Sequence, residues 1–468
     1  MEVRLNKFSD EQFIQPRICA KVSQILLIAE QNLKFCSRPQ RKKRFGMEVK
    51  MYQKFTDILR HELVPALGCT EPIAIAYAAA KAREVLGCMP EKMCVSCSGN
   101  IVKNVKSVTV PHTNGLKGIA ASAVAGVVNG DASLGFEVLS TVTPEDVEKV
   151  KDLLKQEICE VGLLETDAVL DIMVQVFAGK DSVTVEVKHA HTHIDHIERN
   201  GHMVYQAQPE SAKEDPVDAP KLDVTLRDIL EYVETVDLRD VQDIIEEQVS
   251  KNLHIAEEGL RRPYGANVGK NIMKNCRDCA DKAVAYAAAG SDARMDGCGL
   301  PVVINSGSGN QGLTVSMPVY VFAREYHISR QKMIRAVLFS NLAAIYQKQR
   351  LGKLSAYCGA VSAACASGAA ITYMMGGSYE QIENTLTNAI ATLSGIVCDG
   401  AKASCAAKIA TAVNSAILAH RMAMSGDVLQ AGEGLVADTL QETIEAYTTM
   451  GRVGMRETDK MILKMMTR

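Results

Sequence analysis

AYCGAVSAACASGAA at residues 356–370 and TLSGIVCDGAKASCAAK at 392–408 set the terms on which the rest of the chain is read. Ala, Ser, Gly and Val fill both stretches. Helices built from such residues approach one another closely and leave room for something other than a side chain. Cys358 and Cys365 stand seven residues apart, as do Cys398 and Cys405. Seven residues is about two turns of helix, so each pair is expected on one helical face. Gly400, after Cys398 and Asp399, supplies a flexible hinge beside a thiol. Thiolates ligate zinc and iron–sulfur clusters, yet cysteine is also a small buried hydrophobe, and this spacing is not CxxC. The small-residue run near 356–376 reads as a buried core helix and not as a membrane span.

Composition bounds the alternatives. At 468 residues the chain exceeds one ordinary domain, so two lobes are expected. Hydrophobic residues at 47% and charged residues at 23% are those of a soluble globular protein. A net charge of −3 implies no general affinity for nucleic acid or an anionic membrane. Fourteen cysteines in this length do not make a disulfide scaffold, and the polar start carries no secretory signal. Reduced thiols in a cytoplasmic protein are the expectation. With no tryptophan and 5% aromatics, the core packs through small side chains.

The fold class expected is α+β: a predominantly helical core with a smaller inserted α/β lobe. Residues 1–50 form a basic extension with a charge of about +6. Its run Arg38-Pro39-Gln40-Arg41-Lys42-Lys43-Arg44 reads as a solvated tail, and residues 1–46 are expected to be dispensable. Residues 51–130 open the helical core, with Pro65 ending or kinking the first helix. Cys69 then precedes a helix that Pro72 suits and that Thr70 or Glu71 would cap. The helix dipole at that position favours a thiolate. Residues 131–205 are the α/β lobe, with a capped helix near Thr143 and a strand hairpin. Its His189, His191 and His193 are expected on one strand face, solvated and lacking a carboxylate partner. An acidic linker follows at 206–222, and 223–468 returns to helix.

Two CxxC pairs carry less weight. Cys94 and Cys97 lie on a strand and so point to opposite faces, while Cys276 and Cys279 are expected to share a helical face. The loop from Asn305 to Gly312 (NSGSGNQG) follows an apolar strand-like run and lacks a P-loop lysine. Its backbone N–H groups and hydroxyls suit a carboxylate or phosphate. The polar turn from Pro111 to Gly115 resembles a second ligand-binding turn.

Three motifs stand in order over residues 52–468: HELVPALGCTEPIAIAYAAA at 61–80, NSGSGNQGLTVSMPV at 305–319, and Cys358…Cys398-Asp-Gly-Ala-Lys-x-Ser-Cys405. Together they resemble the L-cysteine desulfidase family, of the UPF0597 type, relatives of the iron–sulfur L-serine dehydratase alpha chain. The resemblance implies a [4Fe-4S] cluster on Cys358, Cys398 and Cys405, with one iron open to substrate. It implies that Cys69 is the base or a temporary fourth ligand. Ser306, Ser308 and Asn310 are then assigned to the amino acid's carboxylate or ammonium, followed by Asn100, His112 and Asn114. Cys365 is left structural. The reaction implied is the PLP-independent lyase step from L-cysteine and water to pyruvate, ammonia and hydrogen sulfide. L-Serine dehydration at the same site is the alternative, and a non-catalytic metal-binding regulatory protein is the alternative of another class. The partner is a small amino acid, and small-residue helices are compatible with a homodimer.

Overall fold

The computed structural model describes residues 52–207, 224–352 and 355–466. The basic extension, and the linker from residue 208 onward, lie outside them. One compact unit spans Thr56–Arg468, while Met1–Phe55 is a separate unit of which only residues 52–55 are described, as helix. All that follows concerns the larger unit.

A short strand, β1 (Pro65–Leu67), takes over where Pro65 stops the first helix. After Gly68 the long α1 (Thr70–Leu86) begins, with Cys69 itself at the N-cap and no side chain capping it. The cap expected from Thr70 or Glu71 is therefore absent, because both are already helical. Next come β2 (Lys92–Cys97), α2 (Gly99–Val105) and α3 (Ile119–Asn129). In α4 (Pro144–Lys155) the Thr143 hydroxyl and the Asp146 carboxylate form the reciprocal capping box read from the sequence. Strands β3 (Cys159–Leu163), β4 (Asp171–Ala178), β5 (Asp181–Lys188), β6 (Ile194–Arg199) and β7 (His202–Gln206) complete this half.

The sheet order is β3-β2-β4-β5-β6-β7, with β2 and β3 parallel and the other neighbours antiparallel. Its apolar face, including Val174, Val176, Val183 and Val185, packs on the alanine-rich α1, which in turn packs on α3. The α/β layer therefore draws β2 and α1 from well before residue 131. The alternation that signals a strand is a local property, whereas the pairing of β2 with β4 is not.

Helices dominate the rest. They are α5 (Leu226–Thr235), α6 (Gln242–Arg261), α7 (Val268–Lys274) and α8 (Cys279–Met295), then strand β8 (Pro301–Val303). There follow α9 (Gly309–Glu325), α10 (Arg330–Leu351), α11 (Gly359–Met374), α12 (Tyr379–Thr392) and α13 (Ser404–Met424). The chain closes with α14 (Leu440–Thr449), a π-turn at Met450–Gly454 and α15 (Arg456–Met466). Helices α8, α9, α10, α11 and α13 pack on one another through Ala, Ser and Gly, giving the α+β fold with a helical core. Every residue of α11 from Ala360 to Met374 is buried. Among the described residues no helix is long and apolar enough to cross a membrane.

Three local expectations are corrected. Cys358 is the extended N-cap residue ahead of α11 and Cys398 lies in the loop before α13, so neither seven-residue pair shares a helical face. Helical spacing read through a boundary assigns a face that does not exist. Cys276 lies in the turn before α8 and is exposed, so it shares no helix with Cys279. His189, His191 and His193 occupy the tight connection between β5 and β6, not a strand. It is His196, on β6, that meets carboxylates, with Nδ1 2.8 Å from Glu186 and 3.4 Å from Asp195. Cys94 and Cys97 do fall on opposite faces of β2, one half-buried and one buried.

Candidate active site

The antiparallel pairing of β1 with β8, Pro65 opposite Val303 and Leu67 opposite Pro301, joins the two motif loops in space. Gly68 makes the turn at φ +51°, with the Pro111 ring so close that an added Cβ would lie 2.2 Å from it. Cys69 follows, 2% exposed. On the other loop Ser306 and Gly307 both take positive φ, and Asn305 and Ser308 exchange backbone hydrogen bonds of 3.2 and 3.0 Å. The Thr70 hydroxyl donates to the Gly307 carbonyl at 3.0 Å and ties the two together. Asn305 is itself anchored, donating to Asn341 Oδ1 at 2.9 Å.

Around Cys69 the side chains are hydrogen-bonded in series. Its thiol donates to Glu71 Oε2 at 2.8 Å, and Asn104 Nδ2 donates to Glu71 Oε1 at 2.9 Å. Arg294, fully buried, donates from Nε to the Gly68 carbonyl at 2.7 Å. Burial, and then the Glu71 charge, push the Cys69 thiol well above its ordinary range. Burial also acts to raise Glu71, but His191, the Cys69 thiol and Arg294 outweigh it, and the carboxyl lies below its usual value. The thiolate expected from the helix dipole is thus replaced by a thiol bonded to a carboxylate. Desolvation and a like charge two residues away exceed the dipole's pull.

The three other thiols come from two segments that pair. Tyr357 forms an antiparallel bridge with Val397; Cys358 N–H donates to the Ile396 carbonyl at 2.8 Å and Cys398 N–H to the Ala356 carbonyl at 2.7 Å. Gly400, at φ +94°, lets the loop pass so close to α2 that an added Cβ would lie 2.2 Å from the Lys103 carbonyl oxygen. Cys405 enters on the first turn of α13 and packs beside Cys69 and Met295. Asp399 pairs with Lys402 at 2.7 Å and with Lys408, which offset the effect of burial and hold it at about 2. Burial, and then Cys398 and Cys405, push Cys358 up to about 12.

Cys69, Cys358, Cys398 and Cys405 all line one cavity of about 100 Å³, together with Ser306, Ser308, Asn310 and Asn100. His112 and Asn114 do not: His112 packs against Gly299, and Asn114 is exposed on the turn behind Gly68. Cys365 is buried inside α11, away from the cavity lining. Glu71, Asn104, Arg294, His191 and Lys348 also line the cavity. Only Glu71 had a local signal, its place two residues after Cys69. A larger cleft of about 610 Å³ adjoins and shares Asn100, His191 and Ser355.

The donor set fits an iron–sulfur cluster. Three thiols, none in a disulfide, line one cavity, Cys358 and Cys398 from segments joined by bridge hydrogen bonds and Cys405 from α13; together they would hold such a cluster through three thiolates. Lys408 supplies positive charge beside Cys358 and Cys398, which favours their ionised form.

A helical body enclosing a buried, thiol-lined cavity beside a helix-capping cysteine is the class that fold and site define. The model of the serine dehydratase alpha chain matches residues 133–464. A UPF0597 protein of Lachnoclostridium phytofermentans is 51% identical over 417 residues, 89% of this chain and 100% of that relative. UPF0597 proteins of Treponema denticola and Desulfitobacterium hafniense are 46% and 45% identical, covering 90% and 89% of this chain and 99% and 96% of their own. The chain belongs to the serine dehydratase alpha chain family, in its UPF0597 branch, which places it among lyase-type, iron–sulfur-associated proteins.

Proposed function

We propose that the protein is an iron–sulfur L-cysteine desulfidase, converting L-cysteine and water to pyruvate, ammonia and hydrogen sulfide. The observation that carries this reading is the convergence of Cys358, Cys398 and Cys405 with Cys69 on one small cavity. When bound by those three thiolates, a [4Fe-4S] cluster supplies a Lewis acid that makes the substrate's sulfur a better leaving group.

The chain's own residues supply the rest. In this reading Cys69 takes the α-proton, and as it does so its own proton passes to Glu71 across the 2.8 Å hydrogen bond. Asn104 holds Glu71 in line for that transfer. Burial at both residues keeps bulk water from short-circuiting the relay. Loss of the β-sulfur leaves an enamine, which hydrolyses to the keto acid and ammonia without a pyridoxal cofactor.

L-Serine dehydration is the second reading, favoured by the family match itself. Neither nucleic acid nor membrane enters this reading. A homodimer is proposed from composition alone and is read by sedimentation velocity. The test is anaerobic reconstitution, iron and acid-labile sulfide analysis, and pyruvate formation from L-cysteine and L-serine in parallel. Brown protein faster on cysteine supports the desulfidase; faster on serine, the dehydratase; colourless and inactive protein defeats both.

A further inference from the structure

Lys348 is 3% exposed on α10 and lines the thiol cavity. Among the described residues its ammonium has neither a hydrogen bond nor an ion pair. The neighbouring cations are committed: Lys103 to Asp459 at 2.5 Å, Lys402 and Lys408 to Asp399, and Arg294 to the Gly68 carbonyl. The opposite charges closest to it are the Cys398 and Cys358 thiols once ionised; an ammonium carries three N–H donors, which leaves donors for a small anion in the same cavity.

The same cavity holds the opposite deficit. Asn104 Oδ1, Asn310 Oδ1 and Gln311 Oε1 are buried acceptors without a hydrogen-bond partner, and all three residues line it. A buried acceptor left unmade costs about 1–3 kcal/mol. One cation without a hydrogen bond and three acceptors without one, on residues that line the same cavity, are complementary to a zwitterion.

We propose that Lys348 binds the α-carboxylate of the substrate amino acid and that the amide oxygens of Asn104, Asn310 and Gln311 receive its α-ammonium. This rests on the reading that a small amino acid occupies the cavity, and it deepens that reading. It moves the carboxylate away from the 305–312 loop, whose Ser306 hydroxyl is already spent on Asn305 Oδ1 at 2.9 Å. Asn310 stays a binding residue, for the ammonium.

Two thiols that each lack one charged group separate the roles. 3-Mercaptopropionate keeps the carboxylate and cysteamine keeps the ammonium. Both carry the same sulfur, so any contribution of the cluster cancels between them. Titrated calorimetrically into reconstituted wild type and Lys348→Met, 3-mercaptopropionate should weaken about 30-fold or more in the variant, the loss expected for one desolvated charge pair. Cysteamine should change less than about threefold, and iron content should hold. Lys348→Arg, which keeps the charge, should retain most of the 3-mercaptopropionate affinity and gives the comparison if the methionine variant does not fold.

Equal weakening of both analogues, no weakening of either, or loss of iron from Lys348→Met would overturn the assignment. So would a wild type that binds neither. A wild type that binds both analogues but turns over neither cysteine nor serine sinks the lyase reading, while the analogue selectivity of Lys348→Met still decides what Lys348 binds.

Discussion

The two walls of the cavity are built on opposite plans. On the Cys69 wall the side chains are tied in series: thiol to Glu71, Glu71 to Asn104, Thr70 to Gly307, Arg294 to Gly68. On the facing wall it is the backbones of Cys358 and Cys398 that are tied, through the bridge between Tyr357 and Val397. The sulfurs there meet only backbone groups: Cys358 the N–H of Ala360, and Cys405 the N–H of Lys402 and, at 3.8 Å, the Gly400 carbonyl. A side chain held by hydrogen bonds keeps its proton and passes it along a fixed line. A side chain held only through its backbone gives up its proton to a metal without breaking anything. In the proposed reaction one wall moves protons and the other loses them.

The largest effect should come from breaking the thiol wall. Cys398→Ser or Cys358→Ser should lower iron and sulfide after reconstitution and bring turnover down to that of cluster-free protein, while the far-ultraviolet dichroism stays native. A fully loaded, fully active Cys398→Ser would remove it from the ligand set. Next comes the proton wall: Glu71→Gln should cut kcat about 10²-fold or more at unchanged iron content. Its pH profile tests the relay directly. The Glu71 charge raises the Cys69 thiol, so removing that charge lowers it. Any alkaline limb due to Cys69 should therefore move to lower pH in the variant, with L-serine as substrate to avoid a second thiol. An unmoved limb would mean that Cys69 and Glu71 do not share the proton.

The contrast also explains what could be read from the chain. The four cysteines announce themselves by residue type, and the Cys69 turn by the local grammar of Gly68, Pro72 and an alanine-rich helix. Alternation located β4 and β5, and Thr143 located its helix. Long-range placement was invisible. Lys348 sits in a run, Gln347-Lys348-Gln349-Arg350, that looks like a solvent face, yet Gln347, Lys348 and Arg350 are buried because α10 is covered by its neighbours. Arg294, Asn104 and His191 come to the cavity from three elements whose meeting no window of sequence contains. The helical face assigned to Cys358 and Cys365 failed for a related reason. A chain interruption at an N-cap is set by what the preceding residue pairs with, here a loop forty residues away.

Gly400 tests whether the thiol wall depends on its backbone. At φ +94° a side chain is strained, and the Lys103 carbonyl leaves no space for a Cβ, so Gly400→Ala should cost about 1–3 kcal/mol. Because the strain falls in the loop that carries Cys398, it should appear as slower cluster loading as well as a lower melting temperature. A variant that melts early but loads normally would show that the sulfurs find their places without the loop.

Cys365 provides the smallest effect and the sharpest contrast. It has the same seven-residue relation to Cys358 that Cys405 has to Cys398, and burial pushes its thiol up to about 12, as for Cys358. Neither residue type, nor spacing, nor the state of the proton separates the two. Position does: Cys358 stands at an N-cap facing the cavity, and Cys365 inside α11 among alanines. Cys365→Ala should then leave iron content and turnover within about twofold and lower stability by only about 1 kcal/mol, the loss of one small buried group. Iron falling in step with stability would place a fourth thiol within reach of the cluster, and the division between a wall that loses protons and a core that keeps them would have to be redrawn along α11.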